Sequence, residues 1–426
     1  MKIAVWHNLP SGGGKRALHD HVKGLSERGH HLEAWCPPTA NRNYLPLGDL
    51  INERVVPLDS GRRTGMRWLG NTYATTTGQL AAMERHCARC GAEIREGEFD
   101  LLLAGPCQIF RTSPIAKYVD IPSALYLQEP FRALYEATPK LPWMALPAAG
   151  KKGWSIRQWG RVLGDLARTQ ALRIQMREEI ANAAHFNLIL VNSLFSRESI
   201  LRAYGLESKV CYLGISGDEF RPSGEEAEPY VIGLGGLSYS KGADRAIRAL
   251  GCVDPGKRPE LRWVGNFSSP EYERELRALA AQCGVRFTVK VMVSDAELVS
   301  LLSRAAMLVY TSRLEPFGLA PLEANACGTP VVAIAEGGVR ETIVHDQNGL
   351  LVEGDDPRQL AQAIERLVDD SEFARQLRAR SLHHVQTKWD MKSAIDRLEG
   401  ALLELKEGMS GTDAEARSSL VPMACV

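Results

Sequence analysis

Glu315 and Glu323 stand with seven residues between them in the run Ser312-Arg-Leu-Glu-Pro-Phe-Gly-Leu-Ala-Pro-Leu-Glu-Ala324. Paired carboxylates of this kind accept hydrogen bonds from vicinal hydroxyls, the chemistry needed to hold a sugar or a ribose. The elements that position them are legible. Met307 to Tyr310 is an apolar run that reads as a buried strand, and Pro316 keeps Glu315 extended at its end, so that this side chain leaves the sheet edge. Gly318 permits a turn, and Pro321 is tolerated only in the first turn of a helix, which carries Glu323 and stops near Cys327-Gly328. Pro330 to Ala335 is a second buried strand, and Glu336-Gly337-Gly338 leads into a helix from Val339. Open parallel sheets bind ligands beyond the carboxyl ends of their strands, where helix N-termini turn amides toward anions. Taken singly, each acid reads as a solvated loop or helix residue. Together with Gly337 and Gly338 they predict a site for an anion bearing sugar hydroxyls.

Two glycine turns offer further anion contacts. Ser11-Gly12-Gly13-Gly14 lies between the first strand and a helical pattern, where Gly13 and Gly14 let backbone amides approach an anion. It is not a Walker loop, because Leu9 replaces the first glycine and Arg16 stands where Ser or Thr must hold magnesium. Gly233-Leu-Gly-Gly236 departs from the dinucleotide fingerprint and has no ribose acid after it, a weak sign of a dehydrogenase. Lys241-Gly242 opens the next helical pattern and places an ammonium on the same edge as Glu315, where it could neutralise a departing diphosphate. No Asp-x-Asp pair occurs, so a phosphate-bridging metal lacks obvious ligands, and no metal or other cofactor is expected. Cys87-Ala-Arg-Cys90 has no second pair nearby and reads as helical cysteines rather than a zinc site.

The 426 residues exceed one ordinary core, and nine scattered cysteines argue for a reducing compartment. Charge is balanced overall, but residues up to Leu213 carry a surplus of about +8, which suits an anionic surface or substrate. Strands are expected at Ile3 to Trp6, Leu32 to Trp35, Leu101 to Leu103, Ser123 to Leu127, Leu188 to Val191, Tyr230 to Leu234, Leu261 to Val264, Arg286 to Val291, Met307 to Tyr310 and Val331 to Ala335. Helical patterns lie between them, so the class is α/β with parallel sheets. Gly and Pro from Leu213 to Glu226 suggest a boundary: an N-terminal domain over 1–213, a C-terminal domain over 218–386, and a mobile tail over 408–426. Residues 141–186 interleave basic residues with Trp143, Trp154 and Trp159, a mixture suited either to an anionic membrane surface or to ordinary surface helices. No run is long enough to span a membrane, and the location expected is cytoplasmic, with peripheral membrane attachment.

These motifs resemble those of retaining glycosyltransferases of family 4. The likeness is strongest from Asp295 to Asp356 and is supported by Val191-Asn-Ser193, Tyr204-Gly205 and Lys241-Gly242. The resemblance implies the GT-B fold, two facing Rossmann-like domains with an interdomain cleft, and a C-terminal helix over about 389–405 that returns to the N-terminal domain. It implies that Glu323 accepts from the ribose diol, and that Glu315 with the amides of Phe317, Gly318 and Leu319 holds the donor sugar. Lys241 and the Gly13 turn would hold the diphosphate without a metal. Two positions depart from the family pattern: Gly236 replaces a common arginine, leaving Lys241 to act with amides alone or with another cation such as Arg16 or Arg340, and Gln128 replaces a common histidine facing the donor sugar.

The function expected is transfer of a sugar, with retention, from a nucleotide-diphosphate-sugar donor to a glycan or lipid-linked acceptor, as in polysaccharide biosynthesis. Base contacts are expected from backbone near Val291 to Ser294, and no nucleic-acid partner is expected. The alternatives are a catalytically silent nucleotide-sugar-binding protein, suggested by Gly236 and Gln128, and an epimerase or phosphorylase on the same architecture.

Overall fold

The computed structural model describes residues 1–59, 71–135, 156–354 and 356–410. The chain divides into two compact units. One contains Met1–Val191, Ser199–Lys209 and the chain from Leu398; the other contains Asn192–Glu198 and Val210–Arg397.

In chain order the first elements are β1 (Lys2–Asn8), α1 (Gly13–Glu27), β2 (His31–Cys36), β3 (Asn52–Val55), α2 (Asn71–Glu96), β4 (Leu101–Cys107), β5 (Ser123–Tyr126), α3 (Arg132–Tyr135), α4 (Ile156–Ala184), β6 (Leu188–Val191), α5 (Leu194–Tyr204) and β7 (Lys209–Val210). Their sheet has the order β3-β2-β1-β4-β5-β6-β7, and β1 to β6 pair in parallel. All seven residues of β4 are buried. A central parallel strand is covered on both faces, which is why it reads as a continuous apolar run rather than an alternating one.

The remaining elements are β8 (Tyr230–Leu234), α6 (Ala243–Cys252), β9 (Glu260–Gly265), α7 (Pro270–Gln282), β10 (Phe287–Val291), α8 (Asp295–Arg304), β11 (Met307–Tyr310), α9 (Leu319–Ala326), β12 (Val331–Ile334), α10 (Val339–Thr342), β13 (Gly349–Val352), α11 (Pro357–Asp369), α12 (Ser371–Lys388) and α13 (Met391–Ser410). The second sheet is parallel throughout, in the order β10-β9-β8-β11-β12-β13. Its core joins Val231, Leu261, Met307 and Val332 from the strands to Ile247, Leu250 and Leu360, Ile364 from helices. Leu360, Ala361, Ile364 and Leu367 recur at helical spacing, so α11 presents one apolar face to that core.

Each strand read from the sequence is present, within a residue or two at its ends except for β4, which runs on four residues past Leu103 to Cys107. The α/β class with two parallel sheets therefore stands. Cys87 and Cys90 lie buried in α2, with Cys90 Sγ 3.5 Å from His86 Nε2, as the helical reading of the pair expects. The division between units falls inside α13, at Leu398, where Glu399 pairs with Arg28 at 2.5 Å and with His30 at 2.7 Å. Of the expected tail, 411–426 lie outside the described residues, as do 141–155 of the basic, tryptophan-bearing stretch. Among the described residues no helix is long and apolar enough to cross a membrane.

Candidate functional site

The strand end at Tyr310 delivers the first carboxylate. Glu315 Oε2 accepts from Lys241 Nζ at 2.7 Å and from Ser312 Oγ at 2.7 Å, and its side chain is 16% exposed. The Tyr310 hydroxyl also bonds Glu315; burial, and then the carboxylate's charge, push that phenol well above its ordinary range. A charged pair at a partly open edge can exchange one partner for a ligand's phosphate or hydroxyl.

Backbone around Glu315 is unusually constrained. Leu314 has φ +50, a left-handed conformation that costs energy for a leucine. It is held by Glu336, whose carboxylate accepts from Leu314 N at 3.3 Å and from Arg313 Nε at 2.5 Å. Gly337 and Gly338 are required by contact. A Cβ at Gly337 would lie 2.4 Å from Glu315 O, and one at Gly338 would lie 2.2 Å from Pro316 O. Gly338 N donates to Glu315 O at 2.8 Å, so α10 is tied to the same loop. Gly318, at φ +103, caps the N-terminus of α9. The amides of Phe317, Gly318 and Leu319 have no hydrogen-bond acceptor among the described residues. A helix start with open amides favours negative charge.

Lys241 lies not in the helix but in a 3-10 turn before it, with Gly242 at φ +73 between the turn and α6. That glycine is also fixed by contact, since its Cβ would meet Thr311 O at 2.4 Å. Glu323 is nearly buried on α9, at 7% exposure, and its charge contributes to raising both Tyr310 and Cys327. The Phe317 side chain belongs to the core, packed edge-on against Trp389 at 5.4 Å, so its amide rather than its ring is available. At Gly236 the space a side chain would need is taken by the Phe267 ring, 2.2 Å from the Cβ position. Arg340 Nε donates to Ala335 O at 2.5 Å, an intrachain role for one of the cations considered in place of an arginine at 236.

Gly13, Gly14 and Gln128 belong to the first unit. Gly12, at φ +136, caps α1, and a Cβ at Gly14 would lie 3.1 Å from Gln128 Oε1. Arg16 donates to the Tyr44 hydroxyl at 3.1 Å. Close to the start of α1, His7, Cys36 and Glu53 bring potential ligand atoms within 4.8 Å of one another. Burial alone would raise the Glu53 carboxyl, but His7, with Arg42 and Lys15, holds it down at about 2. Lys15 is buried with no hydrogen-bond partner for Nζ among the described residues, and burial lowers its pKa. A divalent cation here would meet two positive side chains, Lys15 and Arg42. The cluster is an ionic network before it is a metal site.

Sequence reasoning did not single out Ser312 as a partner of Glu315, Phe267 as the occupant beside Gly236, or Glu341, which accepts from the amides of Leu194 and Phe195 at 2.9 and 3.0 Å. Glu341 lies within the Asp295 to Asp356 stretch where the likeness is strongest, but nothing in its spacing names a partner some 146 positions away.

Residues 216–383 match the family described as "Glycosyl transferases group 1". That span includes Lys241, Glu315, Glu323 and Gly338. "D-inositol 3-phosphate glycosyltransferase 1" of Catenulispora acidiphila is 30% identical over 260 residues, 56% of this chain and 62% of the relative. "D-inositol 3-phosphate glycosyltransferase" of Acidothermus cellulolyticus is 34% identical over 226 residues, 47% of this chain and 50% of the relative. The chain thus spans between half and two thirds of the length of these two relatives. Among solved structures, Anabaena Alr3699/HepE in complex with UDP-glucose has a TM-score of 0.70 at 20% identity, covering 95% of this chain and 100% of that one. Sucrose-phosphate synthase from Thermosynechococcus elongatus has a TM-score of 0.68 at 19% identity, covering 96% and 99%. At these identities the likeness is one of fold, the pair of Rossmann-like domains of the GT-B class.

Proposed function

We propose that the protein is a retaining, family 4-type glycosyltransferase that moves a sugar from a nucleotide-diphosphate-sugar donor to a glycan or lipid-linked acceptor without a divalent metal. The observation that carries this reading is the Lys241–Glu315 pair at 2.7 Å beside the open amides of Phe317, Gly318 and Leu319. In this reading the donor diphosphate draws Lys241 away from Glu315. The ammonium then stabilises the leaving phosphate, as fixed charges do at other sites of developing charge, while the amides of Phe317, Gly318 and Leu319 donate to the sugar. Glu315, kept in place by Ser312 and Tyr310, accepts from sugar hydroxyls, and Glu323 from the ribose diol. The leaving phosphate takes the acceptor's proton on the same face of the sugar, so no protein nucleophile is required.

In the first unit, Gly13, Gly14 and Gln128 form a polar edge that this reading assigns to substrate binding. The names of the relatives make a phosphorylated inositol the first acceptor to try. Trp159, Leu163 and Leu166 on α4 are 57%, 44% and 57% exposed and fall on one helix face, next to Arg161 and Arg168 in sequence. That amphipathic face supports peripheral attachment to an anionic membrane on its cytoplasmic side.

The test is turnover of a panel of uridine, guanosine and adenosine diphosphate sugars by the wild-type chain and by Glu315→Ala and Glu323→Ala. The reading expects turnover in the wild type, unchanged by EDTA, and loss in both variants. Wild-type rates in both variants, or activity lost to EDTA and restored by magnesium or manganese, would contradict it.

A second reading has one observation in its favour: Phe267 fills the space where an arginine at 236 would supply charge to the diphosphate. A catalytically silent nucleotide-sugar-binding protein would bind donors in calorimetry and transfer nothing to any acceptor.

A further inference from the structure

The start of α5 is fastened to the loop that carries Glu315, through residues that all belong to the second unit. Four leading amides of this helix are satisfied by two residues. Glu341 takes Leu194 N and Phe195 N, while Ser193 takes Ser196 N on its hydroxyl, at 2.8 Å, and Arg197 N on its carbonyl, at 3.0 Å. Having accepted from Ser196, the Ser193 hydroxyl has one proton to give, and it goes to Pro316 O at 2.5 Å. Ser196 Oγ bonds Asn192 Oδ1 at 2.7 Å and lies farther from Pro316 O, at 3.3 Å, so Ser193 is the principal donor to that carbonyl. Glu341 is itself held by the Tyr212 hydroxyl at 2.8 Å, and Tyr212 packs with Phe317 and Trp389. Ser193 is fully buried, so no water competes for its proton.

Pro316 and Phe317 share one planar trans peptide, whose C=O and N–H point in opposite directions. Fixing Pro316 O therefore fixes the direction of Phe317 N–H, one of the amides with no acceptor among the described residues. Gly338 adds a second restraint, leaving no room for a Cβ against that carbonyl. We propose that Ser193 is a positioning residue: its hydroxyl aims the Phe317 amide at an oxygen of the donor's sugar, and Glu341 keeps Ser193 in register. The inference rests on the donor-binding reading above and adds to it a residue distant in sequence from every motif assigned to the donor.

The test is the sugar increment, the ratio of the affinities for a sugar nucleotide and for the bare nucleoside diphosphate, read by calorimetry on the full chain. Ser193→Ala is expected to reduce that increment about tenfold, the loss of one aligned hydrogen bond. The affinity for the bare diphosphate should stay within about twofold. Ser193→Thr, which keeps the hydroxyl, restores the increment. If Ser193→Ala does not fold, Glu341→Gln leaves the Pro316 contact in place but loosens its support, and should shift the increment in the same direction by a smaller factor. An increment unchanged in Ser193→Ala, or lowered equally in Ser193→Thr, overturns the inference while the donor-binding reading stands. A wild-type chain that binds the bare diphosphate and the sugar nucleotide equally also overturns it. A wild-type chain that binds neither overturns the donor-binding reading and this inference with it.

Discussion

The carboxyl ends of the two parallel sheets use the same residue types in opposite ways. In the second unit, Lys241 and Glu315 form one pair at a partly open edge, beside amides with no acceptor among the described residues. In the first unit, His7 and Cys36 both turn on Glu53, and Lys15 beside them is withdrawn from water with no hydrogen-bond partner for Nζ among the described residues. The pair in the second unit stays partly open, as the proposed donor site requires, whereas the cluster in the first is closed off within the fold. Parallel-sheet topology makes both edges candidates. Exposure separates them, and it is not visible in residue type alone.

The largest effect that would sharpen this contrast is on catalysis. Removing the Glu315 carboxylate by Glu315→Ala should lower kcat/KM for a sugar-nucleotide donor by about 10² to 10³-fold. Lys15→Met in the first unit should act mainly on stability, seen in urea unfolding with activity per folded molecule retained. Turnover falling equally in both variants, at equal folded fraction, would break the distinction. Next in size is Gly338→Ala, whose Cβ would stand 2.2 Å from Pro316 O. Backbone on both sides must shift, and a stability loss of roughly 3 kcal/mol is expected in chemical denaturation.

The first unit should also be the acid-sensitive one. Burial lowers the His21 pKa from 6.5 to about 4. Above pH 6.5 the group is neutral in both folded and unfolded chains and contributes nothing to the pH dependence. Between 6.5 and about 4 the unfolded chain takes up a proton that the folded chain refuses, so stability falls as pH falls. By pH 5 the loss is about 2 kcal/mol. Glu53, held at about 2, contributes stability that is present above its unfolded value of 4.5 and is lost as pH drops toward 2. Urea unfolding at pH 7 and pH 5 checks the histidine contribution, and His21→Leu should flatten the difference. The smallest effect on the fold is expected from Trp159→Ala, below about 0.5 kcal/mol because the ring is already exposed. The same change should weaken sedimentation with anionic vesicles, and equal binding by the wild type and variant would remove the membrane assignment.

How far the sequence could be read follows the same physics. The central strands were legible because burial on both faces demands unbroken apolar runs such as Leu101 to Ala104 and Met307 to Tyr310. β3 was not, because Asn52-Glu-Arg-Val55 is an edge strand whose Arg54 faces water and Glu33, while the Glu53 side chain is buried beside His7 and Arg42 rather than in an apolar core. β13 begins at Gly349, which signals a turn when read alone but is needed because a Cβ there would lie 2.7 Å from Val331 O. At the site, Glu315, Gly318, Gly337 and Gly338 declared themselves because proline and glycine mark backbone constraints locally. The contacts of Ser193, Phe267 and Glu341 did not, since they are set by tertiary packing with partners far away in the chain.

In the proposed function, Lys241 and Glu315 are held ready for a nucleotide diphosphate linked to a sugar. Isothermal titration of uridine, guanosine and adenosine diphosphates and their sugars into the wild-type chain and into Lys241→Ala, with EDTA present throughout, tests it most directly. The prediction is saturable binding of at least one diphosphate by the wild type, weakened about tenfold or more in the variant. No binding by the wild type, or equal affinity in Lys241→Ala, would contradict the assignment.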